Sequence, residues 1–167
     1  MTTSIVRKIL VPTDFSDASD QAVEYGARLA CALGATVYLV HVVEDTYAMH
    51  GAWDYYVRDT AEILDRQADI ARSKLADAAV PLEKRGLQVA TEARLGSAAD
   101  EIVLAAQHYG ADLIVMATHG RSGLPHLLLG SVAERVIRHA TCPVVAVTAQ
   151  AFEHVGLTLD ANELALA

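Results

Sequence analysis

The sequence predicts an α/β domain built on a five-stranded parallel sheet with helices on both faces. Short β-branched and aliphatic runs alternate along the 167 residues with longer segments whose apolar residues recur every three or four positions. Two of the runs, Thr36–Val43 and residues 112–117, are almost wholly apolar, which is typical of strands buried between helices. Strands and helices that alternate in this way connect by right-handed crossovers and form a three-layer α/β/α, Rossmann-like domain.

The first strand is predicted over residues 6–11 and ends at Pro12. Ser16 or Asp17 then caps a helix that Gly34 ends. The apolar positions of this helix recur in steps of four, three and four: Ala22, Gly26, Leu29 and Leu33. After the second strand, residues 44–59 show no periodicity, and we interpret them as a long loop whose aromatic residues cover the sheet or a pocket mouth. These aromatic residues are Trp53, Tyr55 and Tyr56.

A second helix is predicted over residues 60–85, and Pro81 should kink or end it because proline lacks the amide donor. Its apolar stripe consists of Leu64, Ala68, Ala71, Leu75, Ala78 and Leu82. A third strand follows over residues 87–95, and Ser97 begins a third helix that Gly110 ends. The predicted buried residues of this helix are Ile102, Ala105, Ala106 and Tyr109. A fourth strand (112–117), a loop (118–130), a last helix (131–139) and a fifth strand (143–147) complete the domain.

Composition excludes several classes of protein. The 13 Lys and Arg residues against 21 Asp and Glu give a net charge of −8, which is unfavourable for general nucleic-acid binding. No apolar stretch near the start is long enough to span a membrane, and the first residues lack the pattern of a secretory signal. Cys31 and Cys142 form no CxxC pair, so we expect two reduced, buried thiols in a cytoplasmic protein.

The loop after the fourth strand has the properties of a phosphate site. Ligands of parallel sheets lie beyond the carboxyl ends of the strands where strand order reverses, here residues 12–14 and 117–131. The loop contains Gly120, Gly123 and Gly130, ends at a helix N-terminus and supplies Arg121, whereas residues 113–133 contain no carboxylate. Commoner motifs are absent: there is no GxGxxG, no P-loop lysine, no HExxH and no paired-cysteine zinc spacing.

Three segments together resemble the universal stress protein family: ILVPTDFS, LVHVVE and VMATHGRSGLPHLLLGSVAERVIRHATCPVVAV. The resemblance covers residues 6–147. The ATP-binding branch of that family has the pattern Gly-x2-Gly-x9-Gly-Ser/Thr, whose second part is matched by Gly120, Gly130 and Ser131. Ala117 replaces the first glycine of the pattern. The resemblance implies the fold of adenine nucleotide alpha hydrolases with strand order 3-2-1-4-5, and an ATP (or AMP or ADP) lying between strands one and four.

The resemblance also implies the residues that would bind the nucleotide. Pro12, Thr13 and Asp14 would line the adenosine pocket, and the backbone of Val42 would bond adenine. The ribose and phosphates would lie on Met116, Ala117, Thr118, His119, Gly120, Arg121, Gly130, Ser131 and Val132, with Mg or Mn bound through the phosphates. No catalytic residue and no protein metal ligand is implied.

Several of these residues have a simpler interpretation as well. Asp14 is also suited to cap the first helix, and Ser131 with Glu134 forms the S-x-x-E pattern of a capping box. Arg121 is equally an exposed charge. His41 on its apolar strand is expected to be a hydrogen-bonded core histidine, and His119 and His126 to be loop residues rather than metal ligands.

We therefore expect a nucleotide-regulated stress-response protein with slow or no ATP hydrolysis. The alternatives are a nucleotide hydrolase or nucleotidyl-transfer enzyme on the same scaffold, and an interaction module without nucleotide. The domain is expected over residues 1–148, followed by an extension of unassigned structure over 149–167. The apolar fifth strand at the sheet edge, and the resemblance, predict a homodimer through that edge.

Overall fold

A computed structural model describes residues 5–44, 57–118 and 129–148, except for the side chains of residues 57–60. Five strands lie in this part of the chain: β1 (Lys8–Pro12), β2 (Thr36–Val43), β3 (Val89–Leu95), β4 (Leu113–Ala117) and β5 (Val144–Val147). Four helices connect them: α1 (Asp17–Leu33), α2 (Val57–Lys84), α3 (Ala98–Tyr109) and α4 (Ser131–His139). The strands form one parallel sheet in the order β3-β2-β1-β4-β5, which confirms the predicted topology.

The helices cover the two faces of the sheet in pairs. The inward residues of α1 and α2 pack with Ile9, Val11 and Leu39 on one face. The inward residues of α3 and α4 pack with Leu10, Ile114 and other strand residues on the opposite face. Side chains of one strand therefore alternate between two separate apolar cores, which explains why the central strands are apolar on both sides.

Helix α1 lies unusually close to β1 because Gly26 has no side chain. A Cβ at this position would lie 2.8 Å from Val11 Cγ2, a shorter distance than carbon atoms tolerate. Val11 is fully buried, so it has no free volume into which to move. Gly26 thus fixes the distance between this helix and the strand that leads into the loop at residues 13–16.

Asp112 joins the entrances of β1 and β4. Its Oδ2 accepts hydrogen bonds from the backbone amides of Arg7 and Lys8, at 2.9 and 3.0 Å. Lys8 Nζ in turn donates to the carbonyl of Tyr109 at the end of α3, at 2.8 Å. These contacts fix the register of the two strands at the sheet edge opposite their carboxyl ends.

Most predicted boundaries agree with the structure, and the differences have local causes. Helix α2 begins at Val57, so it includes the last residues assigned to the loop, and it continues through Pro81 to Lys84. A proline so close to the helix end removes one of its last hydrogen bonds and leaves the preceding turns intact. The strands β1, β3, β4 and β5 begin one or two residues later than predicted. Leu33, assigned to the buried face of α1, is exposed in its last turn, and Tyr109 is half-buried. The expected burial of the two thiols is wrong as well, because Cys31 lies on the outer face of α1 and is exposed, and Cys142 is half-buried.

The helix caps agree with the sequence at four of the positions considered, of which Ser97 is the N-cap of α3. Ser16 is the N-cap of α1, where it forms a reciprocal capping box with Ser19. Gly34 and Gly110 end α1 and α3 in the left-handed conformation that glycine adopts without strain. The expected capping box of Ser131 and Glu134 is wrong: the N-cap of α4 is Gly130, which has no side chain of its own.

Candidate functional site

A crevice opens where β1 and β4 separate. The β1–β4 ladder pairs Ile9 with Leu113 and Leu10 with Ile114 and then ends, whereas β1 stays paired with β2 as far as Pro12. Strand order reverses at this point, because β1 connects outward to β2 and β4 continues to β5. The crevice is therefore the position at which parallel α/β sheets bind ligands.

A cleft of about 730 Å³ lies over this crevice. Every described residue of the predicted nucleotide site lines it: Pro12, Thr13, Asp14, Val42, Met116, Ala117, Thr118, Gly130, Ser131 and Val132. His119, Gly120 and Arg121, as well as His126 and the aromatic residues of the 44–59 segment, lie outside the residues that the structure describes. The volume falls within the range of small-molecule and cofactor sites.

The backbone of Val42 faces the cleft. Along β2 the amide and carbonyl groups point alternately to the two neighbouring strands: the carbonyl of Val40 accepts from the Thr13 amide at 2.8 Å, and that of Val43 accepts from the Gly96 amide at 3.0 Å. Val42 therefore points to the β1 side, where β1 has already ended at Pro12. Its N–H and C=O form a donor and acceptor pair at the base of the cleft.

The loop from β1 to α1 is held by side-chain hydrogen bonds. Thr13 Oγ1 accepts from the Phe15 amide at 3.0 Å and contacts Ser19 Oγ at 3.0 Å. Asp14 Oδ1 accepts from the Ser16 amide at 3.1 Å and from the Ser16 hydroxyl at 2.5 Å. Ser16 and not Asp14 is the N-cap of α1, so the capping interpretation of Asp14 is wrong. Asp14 supports the start of α1 through its bonds to Ser16 while it lines the cleft. Phe15 adopts a positive φ of 60°, which is strained for an aromatic residue.

His41 and Phe15 form one side of the cleft. The Nδ1 of His41 lies 2.7 Å from the Thr13 carbonyl, and because a carbonyl only accepts, this ring nitrogen donates. The rings of His41 and Phe15 stack with centroids 4.4 Å apart, and Lys74 Nζ lies 5.2 Å from the Phe15 centroid. His41 is accordingly a hydrogen-bonded, half-buried histidine as expected, but it also lines the cleft.

The N-terminus of α4 borders the opposite side of the cleft. Gly130 caps the helix with φ −60° and ψ 153°, its amide donates to the Thr118 carbonyl at 2.7 Å, and its carbonyl accepts from the Glu134 amide at 2.9 Å. Gly130 has no side chain with which to cap the helix, and none of the described residues is recorded as doing so, so its first amides and its dipole are suited to an anion in the cleft.

Helix α2 forms a wall of the cleft that the sequence did not predict. Gln67, Ile70, Ala71 and Lys74 line it, and Ile70 keeps 53% of its surface exposed. Their spacing of three to four residues places them on one face of α2, beside its buried stripe. Ile70 and Lys74 lie beside the apolar stripe of α2, and this position is a sequence signal for a helix that lines a cleft. The stripe has two sides, however, and only the packing of α2 against the sheet shows which side faces the cleft. Other lining residues absent from the prediction are Phe15, Ser19, Val40, His41, Val43, Glu44, Ala98, Ile102 and Ala133.

The charges at the cleft are mixed. Asp14 and Glu44 are acidic and Lys74 is basic among its described lining residues. Burial, with the charges of Asp17 and Asp14, raises the pKa of Asp20 in the first turn of α1. Within the described ranges, no group of three or more His, Cys, Asp and Glu side chains is arranged to hold a metal ion.

A polar cluster lies between β3 and α3, on the other side of β2. Arg94 bonds Glu101 at 2.7 Å and Glu92 at 3.0 Å, and the Tyr109 hydroxyl donates to Glu92 at 2.8 Å. Burial, together with this hydrogen bond to Glu92, raises the pKa of Tyr109 to about 12. The residues of this cluster do not line the cleft, and its contacts join the edge strand to the helix above it.

Fold and cleft together define a parallel α/β domain of the class that binds a small ligand at the carboxyl edge of its sheet. Comparison with known proteins is more specific. Residues 6–148 match the model of the universal stress protein family, and the chain belongs to that family. It is 38% identical over 148 residues to universal stress protein MJ0531 of Methanocaldococcus jannaschii, covering 86% of this chain and 83% of that protein.

Two solved structures extend the comparison. Protein MJ0577 of Methanocaldococcus jannaschii has a TM-score of 0.78 and 30% identity, covering 86% of this chain and 96% of that one. A universal stress protein from Archaeoglobus fulgidus in complex with dAMP has a TM-score of 0.58 and 25% identity, covering 85% and 98%. The first relative and both structures match nearly the same extent of the chain. Separately, none of the helices described here is both long and apolar enough to cross a membrane.

Proposed function

We propose that this protein is an ATP-binding, nucleotide-regulated stress-response protein of the cytoplasm. The observation that supports this most directly is the pairing of two sets of backbone groups in one cleft. The Val42 donor and acceptor lie on one side, and the N-terminus of α4, with Gly130 as its N-cap, on the other. A nucleotide has the two kinds of surface that such a cleft fits: a planar base with polar edges, and a polyanion.

The base end would be recognised by hydrogen bonds to the Val42 backbone. An N–H and a C=O of one residue match an adjacent acceptor and donor on the edge of adenine. Val40, Val42 and Met116 provide apolar surface near these groups. This recognition uses backbone atoms, which face the cleft because β1 ends at Pro12. The choice of base therefore depends more on where β1 ends than on the side chains nearby.

The phosphate end would lie at the first turn of α4. Gly130, Ser131 and Val132 line the cleft there, and the helix amides stabilise a negative charge without a counter-charge. A Mg or Mn ion would be bound through the phosphates. Gly130 has a φ of −60° and Ala117 lies in a strand, so neither position needs the positive φ that only glycine adopts easily.

Rapid hydrolysis is not expected from the described groups. The carboxylate of Asp14 is engaged by Ser16, and His41 donates to the Thr13 carbonyl. A general base must reach an attacking water beside the terminal phosphate, whereas both groups lie beside the β1–α1 loop rather than at the start of α4. Bound nucleotide would therefore act by changing the surface of the protein.

Two substitutions of Gly130 test the proposal by isothermal titration calorimetry with ATP and magnesium. Gly130→Asp adds a carboxylate at the N-cap of α4, which repels phosphate but suits the helix, since Asp is a favoured N-cap residue. Gly130→Asn has the same shape without the charge. We expect Gly130→Asp to weaken ATP binding at least about tenfold relative to Gly130→Asn, with no loss of thermal stability. Equal affinities of the two variants, or no binding of ATP at millimolar concentration by the unaltered protein, would contradict the proposal.

We also propose a homodimer through the edge of β5. The carbonyls of Pro143 and Val147 accept from β4, at 3.0 Å each, so Val144 and Ala146 direct their amide and carbonyl groups outward. Ala146 is exposed, and Ala146→Pro removes an outward donor while the bonds to β4 remain. Analytical ultracentrifugation at micromolar concentration should show a dimer that this variant weakens. A monomer in both proteins would contradict the proposal.

A further inference from the structure

The Thr13 carbonyl does not form the hydrogen bond that would continue the pairing of β1 with β2. Along this ladder the Thr36 amide donates to the Arg7 carbonyl at 2.8 Å, and the Thr13 amide donates to the Val40 carbonyl at 2.8 Å. A regular parallel pair would continue with the Val42 amide donating to the Thr13 carbonyl. That bond is absent among the described residues, and the Thr13 carbonyl accepts from His41 Nδ1 at 2.7 Å instead.

His41 is placed to cause this displacement. Its side chain lies on the α1–α2 face of the sheet, where its ring stacks on Phe15. A carbonyl that bonds the ring tilts out of the plane of the sheet toward that face, and so away from the Val42 amide. Phe15, with its positive φ, lies two residues after Thr13 and supports the same departure of the chain from strand geometry.

We infer that His41 is a positioning residue: its ring N–H withdraws the Thr13 carbonyl from the ladder and leaves the Val42 amide open to the base of a nucleotide. This inference deepens the proposed function and rests on it for the identity of the ligand. If the Thr13 carbonyl bonded the Val42 amide, it would compete with the base for that donor. The competition would weaken binding of adenosine and of every adenine nucleotide by the same factor, because all of them carry the same base.

The test compares His41→Leu, which has no donor, with His41→Gln, whose amide group can donate to the same carbonyl. His139→Leu is a matched control, since His139 Nδ1 bonds the Arg135 carbonyl at 2.8 Å near the end of α4 and lines no part of the cleft. The first readout is hydrogen exchange of the Val42 amide without nucleotide. We expect this amide to exchange more slowly in His41→Leu than in the unaltered protein, because it then donates to the Thr13 carbonyl. His41→Gln should restore fast exchange.

The second readout is calorimetric affinity for adenosine, AMP and ATP. We expect His41→Leu to weaken all three by the same factor of about five to ten, which is the typical effect of one hydrogen bond. His139→Leu should weaken none of them. An unchanged Val42 exchange rate in His41→Leu overturns the inference even if affinity falls, and so does an unchanged affinity. If the unaltered protein binds no nucleotide, the proposed function fails, while the exchange comparison still decides whether His41 controls the Val42 amide.

Discussion

Gly26→Ala is expected to destabilise the protein by about 1 kcal/mol, although the same change stabilises most helices. The added Cβ would lie 2.8 Å from Val11 Cγ2, about 1 Å inside an ordinary carbon–carbon contact. Overpacking of this kind costs about 1–3 kcal/mol, against about 1 kcal/mol gained from helix propensity. The other neighbours, Val115 Cβ and Cγ1 at 3.7 and 3.8 Å, are at normal distance, so the whole cost comes from one methyl group.

Urea unfolding of a double-mutant cycle isolates that methyl group. Val11→Ala removes it, so in that background Gly26→Ala should stabilise the protein by about 1 kcal/mol, a coupling of about 2 kcal/mol. Gly34→Ala is the control: this glycine has a φ of 67° and no atom within 4 Å of the added Cβ, so its cost of about 1 kcal/mol should be equal in both backgrounds. The same change in the free energy of unfolding for Gly26→Ala in both backgrounds would refute the argument from close approach.

Three further predictions concern other parts of the molecule. Asp112→Ala should lower the free energy of unfolding by about 2 kcal/mol, since two amides lose a charged acceptor, and Asp112→Asn should recover part of it in the same urea experiment. The pKa of Tyr109, about 12 in the folded protein and near 10 when unfolded, means that the unfolded state loses this proton first. Stability should therefore fall as pH rises from 10 to 12, and Tyr109→Phe should remove that part of the decrease; an identical pH profile would contradict the assignment. Ile70→Ser should weaken adenosine binding about fivefold in calorimetry, whereas Ile63→Ser, another exposed isoleucine of α2 that lines no part of the cleft, should not.

The fold and the position of the cleft were predictable because they depend on patterns that the chain repeats. Alternating strand and helix segments determine a parallel sheet, and a parallel sheet places its ligand cleft beyond β1 and β4. The start of α4 was predicted at the correct residue, but its cap was not. A serine in an S-x-x-E pattern and a preceding glycine are both good N-caps, and only the backbone angles decide between them.

The wall formed by α2 was not predictable from the apolar stripe. Leu75 and Leu82 show which face meets the core, but the cleft lies beside that face and depends on how the long helix crosses the sheet. The same holds for His41, whose bond to Thr13 requires the loop conformation at Phe15 to be known. Sequence patterns describe single elements well, whereas these contacts join two or three elements that are distant along the chain.

The N-cap of α4 is a glycine without a side chain, and this links ligand binding to the integrity of one short helix. A phosphate that accepts bonds from the first amides would act as an N-cap, and N-caps contribute about 1 kcal/mol to helix stability. By reciprocity, any change that frays the first turn of α4 must weaken the phosphate contact by the same free energy. Only residues 140–143 separate this nine-residue helix from β5. Through this helix and its four-residue connection, a ligand bound in the cleft is joined along the chain to the strand at the edge of the sheet.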